Sequence, residues 1–418
     1  MKIAVVGTGI SGLTAAYLLH ADHELTLFEA NSYIGGHTRT IDVEAGGTTW
    51  PVDTGFIVFN ERNYPNFVTL LKRLGVGWKK SVMSFSVHRE SDGFEYSPSS
   101  LGSLFAQRRN LFRPGFWRML RDIFRFRKRS VGLLESTEEL TLGEYLDRGR
   151  YSREFVDWFL VPMGASIWSA DPEGFRDFPA LTFARFFSNH GFLQVSNQPQ
   201  WQVIEGGSRS YVEAFTEPFA DRIRLDSPVR SIRRRGDGVE IFADRAAADS
   251  AGPERFDEVI VATHSDQALA MLEKPTLAEA EILGAIGYQE NETVLHRDRT
   301  LLPRNPKVWA SWNYLIPAAS FGRAAVTYHM NTLQSLDAPV DFCVTLNLTA
   351  RVAQEAVDFT AADAHPLFNL AAWNAQGRHH EISGKNRTHF CGAYWGYGFH
   401  EDGVNSALAV CRTLGKEL

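Results

Sequence analysis

The chain has 418 residues, 44% hydrophobic and 22% charged, which allows about two to three domains and is the composition of a water-soluble globular protein. A net charge of −6 argues against a general nucleic-acid surface, and three widely spaced cysteines, Cys343, Cys391 and Cys411, suggest neither a disulfide framework nor a metal site. No apolar run of about eighteen residues would span a membrane, and Met1 leads into KIAVVG too directly for a secretory leader, so a reduced, cytoplasmic setting is expected.

KIAVVG, residues 2–7, is a short apolar run of the kind buried in a parallel sheet. GTGISG, residues 7–12, follows at once, then a helical spacing of Ile10, Leu13, Ala16, Tyr17 and Leu18, then ELTLFEA, residues 24–30, as a second strand. Strand, glycine turn, helix and strand with an acid about twenty residues on describe a dinucleotide site. Gly7 makes the tight turn, Gly9 lets the backbone approach a pyrophosphate and Gly12 lets helix pack on strand. Ile10 and Ser11 open the helix, whose N-terminus favours phosphate, and Glu29, followed by Ala30, can accept from ribose hydroxyls. NAD and FAD both use this unit.

The next segments discriminate. YIGGHTRT, residues 33–40, places the pair Gly35 and Gly36 after the second strand, and VDTGFIVF, residues 52–59, adds Asp53, Thr54, Gly55 and Phe56. Here the chain resembles the flavin amine oxidase and phytoene desaturase superfamily. In that superfamily an arginine after the glycine pair contacts FAD phosphates, and a later glycine-containing strand borders the flavin. His37 stands where that arginine would be, followed by Thr38 and Arg39. The resemblance implies FAD, bound without a covalent link, because neither Cys391 nor Cys411 sits in the covalent-flavin pattern of amine oxidases.

In the middle of the chain, FAQRRNLFRPGFWRMLRDIFRFRKRS, residues 105–130, carries nine arginines or lysines against Asp122 alone, with Phe116, Trp117, Leu120, Ile123 and Phe124 at helical spacing. A basic amphipathic helix is predicted. It could pack on its own domain, rest on anionic lipid at the inner face of the membrane, or, least favoured, hold nucleic acid. LVPMGASIWSADP, residues 160–172, and FARFFSNHGFLQV, residues 183–195, read as core helices or as the lining of a greasy channel. Paired strands are expected about Gly236-Asp237-Gly238, and a buried strand runs through Ala262, Thr263 and His264 into a helix. The resemblance points to Val229, in SPVRSI, for a backbone contact to adenine. VWASWNY, residues 308–314, and VTYHMNTLQ, residues 326–334, alternate like strands of a second sheet.

The closing stretch CGAYWGYGFHEDGVNSALAV, residues 391–410, crowds glycines and aromatics ahead of a helical pattern. By the same resemblance, Gly392 and Ala393 pass the pyrophosphate, and Trp395 and Tyr397 stand near the isoalloxazine. Glu401, Asp402, Gly403 and Val404 open a helix aimed at the flavin pyrimidine, where its dipole stabilises negative charge. Many members carry an acid just after the glycine, where Ala393 stands. Along its whole length the chain is similar to bacterial predicted NAD/FAD-binding oxidoreductases often associated with cyclopropane fatty acid synthases.

The expected fold is therefore α/β: a Rossmann-like, glutathione-reductase-type FAD-binding domain from residues 1–80, 201–285 and 385–418. An inserted α+β substrate domain, amine-oxidase-like, would comprise residues 81–200 and 286–384. The expected activity is hydride transfer from a hydrophobic substrate to flavin N5, with a methyl-branched or otherwise modified fatty acyl or phospholipid chain as the leading substrate. A flavin amine oxidase using Trp395 and Tyr397 as an aromatic pair, and a non-catalytic flavin-binding partner of a lipid-modifying enzyme, are the alternatives. Since an unactivated C–H is not acidic, a proton acceptor is also needed, and His190, His400 and Glu401 are the candidates. No metal is expected.

Overall fold

A computed structural model describes residues 1–135, 138–191, 198–244, 252–319 and 321–418. The last part of the aromatic stripe, Phe192 to Val195, lies outside the described residues. Two sheets organise the chain. The first has five parallel strands in the order Ile223–Arg224, Glu24–Phe28, Lys2–Val6, Glu258–Val261 and Thr388–Phe390. Its three central strands are mostly apolar runs, as suits a sheet covered on both faces. Ile10–Leu19, Pro65–Leu74, Arg209–Thr216 and the closing helix His400–Thr413 bury one face around Leu13, Phe67, Phe215 and Ala407. The antiparallel ribbon Val229–Arg235, Gly238–Ala243 and Glu254–Phe256, with the helices Ser265–Met271 and Leu277–Gly284, buries the other around Ile232, Val239 and Ile282.

The second sheet has seven strands in the order Val357–Pro366, Tyr288–His296, Cys343–Leu346, Val326–His329, Trp312–Ile316, Phe85–Arg89 and Phe94–Tyr96. All pairs are antiparallel except Trp312–Ile316 with Phe85–Arg89. Helices over Pro114–Ser130, Arg153–Trp168 and Ala180–Asn189 pack on one end of it, the middle one passing through a π-helical turn at Val156–Leu160. The Arg39 guanidinium ties the segment after the first sheet's second strand to the seven-stranded sheet, forming a bidentate pair with Asp363 at 2.6 and 3.2 Å.

Three expectations are corrected. The basic helix begins at Pro114 rather than Phe105, because Pro114 cannot continue a helix from before it. The preceding residues form the separate short helices Leu101–Leu104 and Arg108–Phe112. The expected strand over residues 326–334 stops at His329, since the Asn331 side chain bonds the Val340 carbonyl and the Phe342 amide and bends Met330–Leu333 into a helical turn. The strand expected from residue 308 starts at Trp312, after a short turn at Pro306–Val308. Among the described residues no helix is long and apolar enough to cross a membrane.

Candidate cofactor and active site

The first turn is shaped by what its glycines exclude. Gly7 has φ +97° and donates its N–H to the Phe28 carbonyl at 2.8 Å, and a Cβ there would lie 2.8 Å from the Ala262 carbonyl oxygen. A Cβ on Gly12 would lie 2.0 Å from the Gly7 oxygen, so no side chain fits where the helix abuts the turn. Gly9 differs: a Cβ there meets nothing within 4 Å. Gly36 closes over this turn, within about 3 Å of Gly9 for an added Cβ, at 3.1 Å from its Cα. From the other end of the chain, Gly403 lets the closing helix cross the first one, since a Cβ would lie 2.7 Å from Ile10 Cγ2 and 3.0 Å from Ser11 Oγ. Val404 is buried beside it. Two helix N-termini thus converge at an open glycine turn, where their unpaired amides favour an anion.

Several residues expected at the cofactor lie around this corner. Ala262 donates its N–H to the Val6 carbonyl at 2.8 Å, placing Thr263 beside Gly7. Ser227 donates its N–H to the Glu29 carbonyl at 2.8 Å, bringing Val229 to the end of the second strand, where Ala30 is exposed. Gly392 donates its N–H to Ser406 Oγ at 2.9 Å, and Ala393 comes within 3.8 Å of an added Cβ on Gly403. The Glu29 carboxylate is buried and accepts from the Thr8 amide and the Asn31 amide and side chain, at 2.9 to 3.0 Å.

Three acids act within the protein. Asp53 is fully buried and accepts from Thr40 Oγ1 at 2.6 Å, the Ser208 amide at 2.9 Å and hydroxyl at 3.1 Å, and Gln334 Nε2 at 2.8 Å. With its carboxylate so surrounded, it joins three segments rather than offering itself to a cofactor, and burial pushes its pKa up to about 6. Asp402 Oδ2 accepts from the Tyr397 and Phe399 amides, each at 3.0 Å, shaping the turn before its own helix; burial lifts its pKa to about 7. Glu401 accepts from the Asn66 amide at 3.0 Å and the Phe67 amide at 2.9 Å, capping the helix Pro65–Leu74. That role is a correction to its reading as a proton acceptor: both oxygens are engaged at a helix terminus.

The two histidine candidates sit apart. His400 lies face to face on Phe56, ring centroids 3.5 Å apart, and its Nε2 meets the Tyr211 hydroxyl at 2.9 Å and Thr38 Oγ1 at 3.1 Å; burial pushes its pKa down to about 3. Thr54 Oγ1 accepts from Arg39 Nε at 3.0 Å, and Gly55 packs under the His37 carbonyl, where a Cβ would lie 1.8 Å from the oxygen. His190 lies in the helical lobe, stacked on Phe186 at 3.8 Å and Trp201 at 5.8 Å, with Nδ1 at 2.9 Å from the Phe186 carbonyl. Burial lowers its pKa to about 4, so the ring is neutral near pH 7. Trp168 Nε1 donates to the Tyr397 carbonyl at 3.1 Å, and the Phe186 ring lies 5.3 Å from Phe399 and 5.9 Å from Tyr397.

The expected aromatic pair does not form. Trp395 packs on His379 and Tyr394, at 4.5 and 4.9 Å, while Tyr397 turns to Phe186 and Trp373. Gln376 Nε2, donating to the Tyr394 and Gly396 carbonyls, holds the turn that separates them. Sequence reading missed a histidine cluster: His37 lies 5.5 Å from both His264 and His365, with Tyr288 stacked on His264 at 4.5 Å and Asn291 Nδ2 3.0 Å from His365 Nδ1. His365 and Asn291 come from neighbouring strands of the second sheet, and no motif marks them.

A family model, flavin containing amine oxidoreductase, matches residues 10–300. The chain is 25% identical over 314 residues to an L-amino-acid oxidase of Siganus canaliculatus, covering 70% of this chain and 56% of that protein. It is 24% identical over 266 residues to a 15-cis-phytoene desaturase of Arabidopsis thaliana, covering 57% of this chain and 44% of that one. The chain thus spans about half the length of these relatives. A fatty acid isomerase of P. acnes that produces CLA shares the fold, with a TM-score of 0.67 at 16% identity over 98% of both chains. The matched model spans more than half of this chain, and the open turn at Gly9 between two helix N-termini fits the dinucleotide cofactor such a family carries. The chain belongs to the flavin-containing amine oxidoreductases, and its cofactor is FAD.

Proposed function

We propose that the chain is an oxidoreductase acting on a hydrophobic substrate, with a fatty acyl or phospholipid chain as the substrate class. One observation carries the reading: the turn leading into the closing helix, Tyr397 to Phe399, is packed into a lobe of aromatic side chains rather than beside a carboxylate free to hold an amine. Trp168, Phe186 and His190 face this turn, and Phe175, Phe178 and Phe183 extend the lobe behind them. FAD held at the glycine turn would supply the redox chemistry, that of a two-electron hydride acceptor. The aromatic lobe excludes water and orients an apolar chain. His190 is the proton acceptor in this reading: Nδ1–H donates to the Phe186 carbonyl, which leaves the ring lone pair on Nε2, and burial holds the ring neutral. The five-stranded sheet with its helices is the cofactor-binding unit, and the seven-stranded sheet with the helical lobe is the substrate unit. The desaturase relative fits this substrate class.

The test is anaerobic bleaching of the oxidised-flavin absorbance by detergent-dispersed phospholipids and by a panel of amines. Bleaching by lipid alone supports the proposal. Bleaching by amines alone would establish an amine oxidase instead, and flavin that neither class bleaches would favour a non-catalytic partner protein.

A further inference from the structure

The helix Pro114–Ser130 has two unlike faces. Phe116, Met119, Ile123 and Phe126 point inward and are buried in the aromatic cluster against which Tyr397 and Phe399 also pack. On the outside, Trp117, Arg121, Phe124, Lys128 and Val131 succeed one another at alternating steps of four and three, which is one stripe of a helix. All five are exposed, Trp117 by 48% and Phe124 by 62%. The turn before the helix extends the stripe: Phe112 is 87% exposed and Leu111 41%, and Trp117 Nε1 donates to the Leu111 carbonyl at 2.9 Å, joining turn and helix into one apolar tip. Leu101, 77% exposed, belongs to the same segment. Most of the large hydrophobic side chains exposed on the described residues therefore fall within about thirty residues of chain.

Charge surrounds this tip. Arg113 is paired with Asp92, Arg118 with Glu154, and both Arg121 and Arg125 with Asp122, whereas Arg108, Arg109, Lys128 and Arg129 have no ion pair among the described residues. We propose that this face docks on an anionic lipid bilayer, the apolar tip entering the interface and the basic ring meeting the headgroups. A second copy of the same face would bring like charges together, and a nucleic acid would leave Leu101, Phe112 and Val131 against water, so neither fits as well. The docking stands without the substrate reading. Only its use rests on that reading, namely that a docked helix whose inner face joins the aromatic lobe brings a lipid chain to the site.

The experiment is flotation of the FAD-loaded protein with phosphatidylcholine vesicles, with and without phosphatidylglycerol, at low and high salt. Wild type is expected to float with the anionic vesicles, less so in salt, and hardly with the neutral ones. At about 1 kcal/mol per cation near the surface, R121Q/K128Q should weaken binding about 30-fold. F112S/F124S should weaken it at both salt concentrations. All four positions are exposed or half-exposed, and retained flavin with unchanged unfolding confirms that each variant is folded. Equal flotation with neutral vesicles, R121Q/K128Q binding like wild type, lipid-independent self-association, or a nucleic-acid duplex bound equally well by F112S/F124S would each overturn the proposal. Bleaching by detergent-dispersed lipid, measured on the same variants, separates docking from chemistry: lost flotation with intact bleaching supports a docking role, and absent bleaching with intact flotation counts against the substrate reading alone.

Discussion

Replacing Gly9 by alanine separates the cofactor's requirements from those of the fold. A Cβ at this position touches nothing in the protein within 4 Å, and the backbone there, φ −67° and ψ 178°, is extended and open to alanine. Without cofactor, the cost is that of a poorer N-cap, about 0.5–1 kcal/mol. With the FAD pyrophosphate over this turn, the methyl would intrude on it, and such overpacking would cost about 2 kcal/mol, or about 30-fold in affinity. At an FAD concentration of about 100 times the wild-type Kd, cofactor stabilises wild type by about 2.7 kcal/mol, and the same concentration would stabilise G9A by only about 0.9 kcal/mol. Urea unfolding of apo and FAD-saturated protein, with flavin fluorescence for the Kd, measures both terms. Wild-type FAD affinity in G9A, or an equal loss of stability with and without FAD, would refute the placement of the dinucleotide over this turn.

Four further outcomes follow from the geometry. Gly12→Ala, whose Cβ would lie 2.0 Å from the Gly7 oxygen, should destabilise the apoprotein by about 1–3 kcal/mol in the same unfolding assay, unlike G9A. Asp53→Ala strips the shared acceptor from four donors and should cost about 3–5 kcal/mol, read from the urea midpoint. Because burial raises the folded-state pKa of Asp53 to about 6 and of Asp402 to about 7, the folded state holds these protons more tightly. Their contribution to stability is complete below about pH 4 and falls as pH rises to about 7, and D402N should flatten the upper part of that curve. H190Q should retain FAD yet bleach with lipid about 100-fold or more slowly, whereas E401A should lose about 1–3 kcal/mol of stability and bleach normally once folded; stopped-flow absorbance distinguishes the two.

Much of the cofactor unit was legible because its signals are local. The strand, turn and helix of residues 2–19 are contiguous, and steric exclusion at Gly7 and Gly12 is a property of a few neighbouring residues. The basic stretch was legible as amphipathic by its spacing. Its start was not, since a helix was read through Pro114 although the short helices at Leu101–Leu104 and Arg108–Phe112 precede a break there. The acids were harder. Asp53, Glu401 and Asp402 lie in cofactor-like motifs, yet their partners Ser208, Gln334, Asn66 and Phe67 come mostly from remote segments, and a carboxylate's role is set by the donors it meets.

By itself, the sequence determined the dinucleotide turn, the alternation of strands and helices, and the two-faced character of the basic helix, because each depends on contacts within a few residues. The tertiary structure decided that Trp395 and Tyr397 part company, that Glu401 caps another helix, and that His37, His264 and His365 meet across two sheets. Those outcomes depend on which distant segments pack together, and packing brings together residues hundreds of positions apart that no local pattern relates.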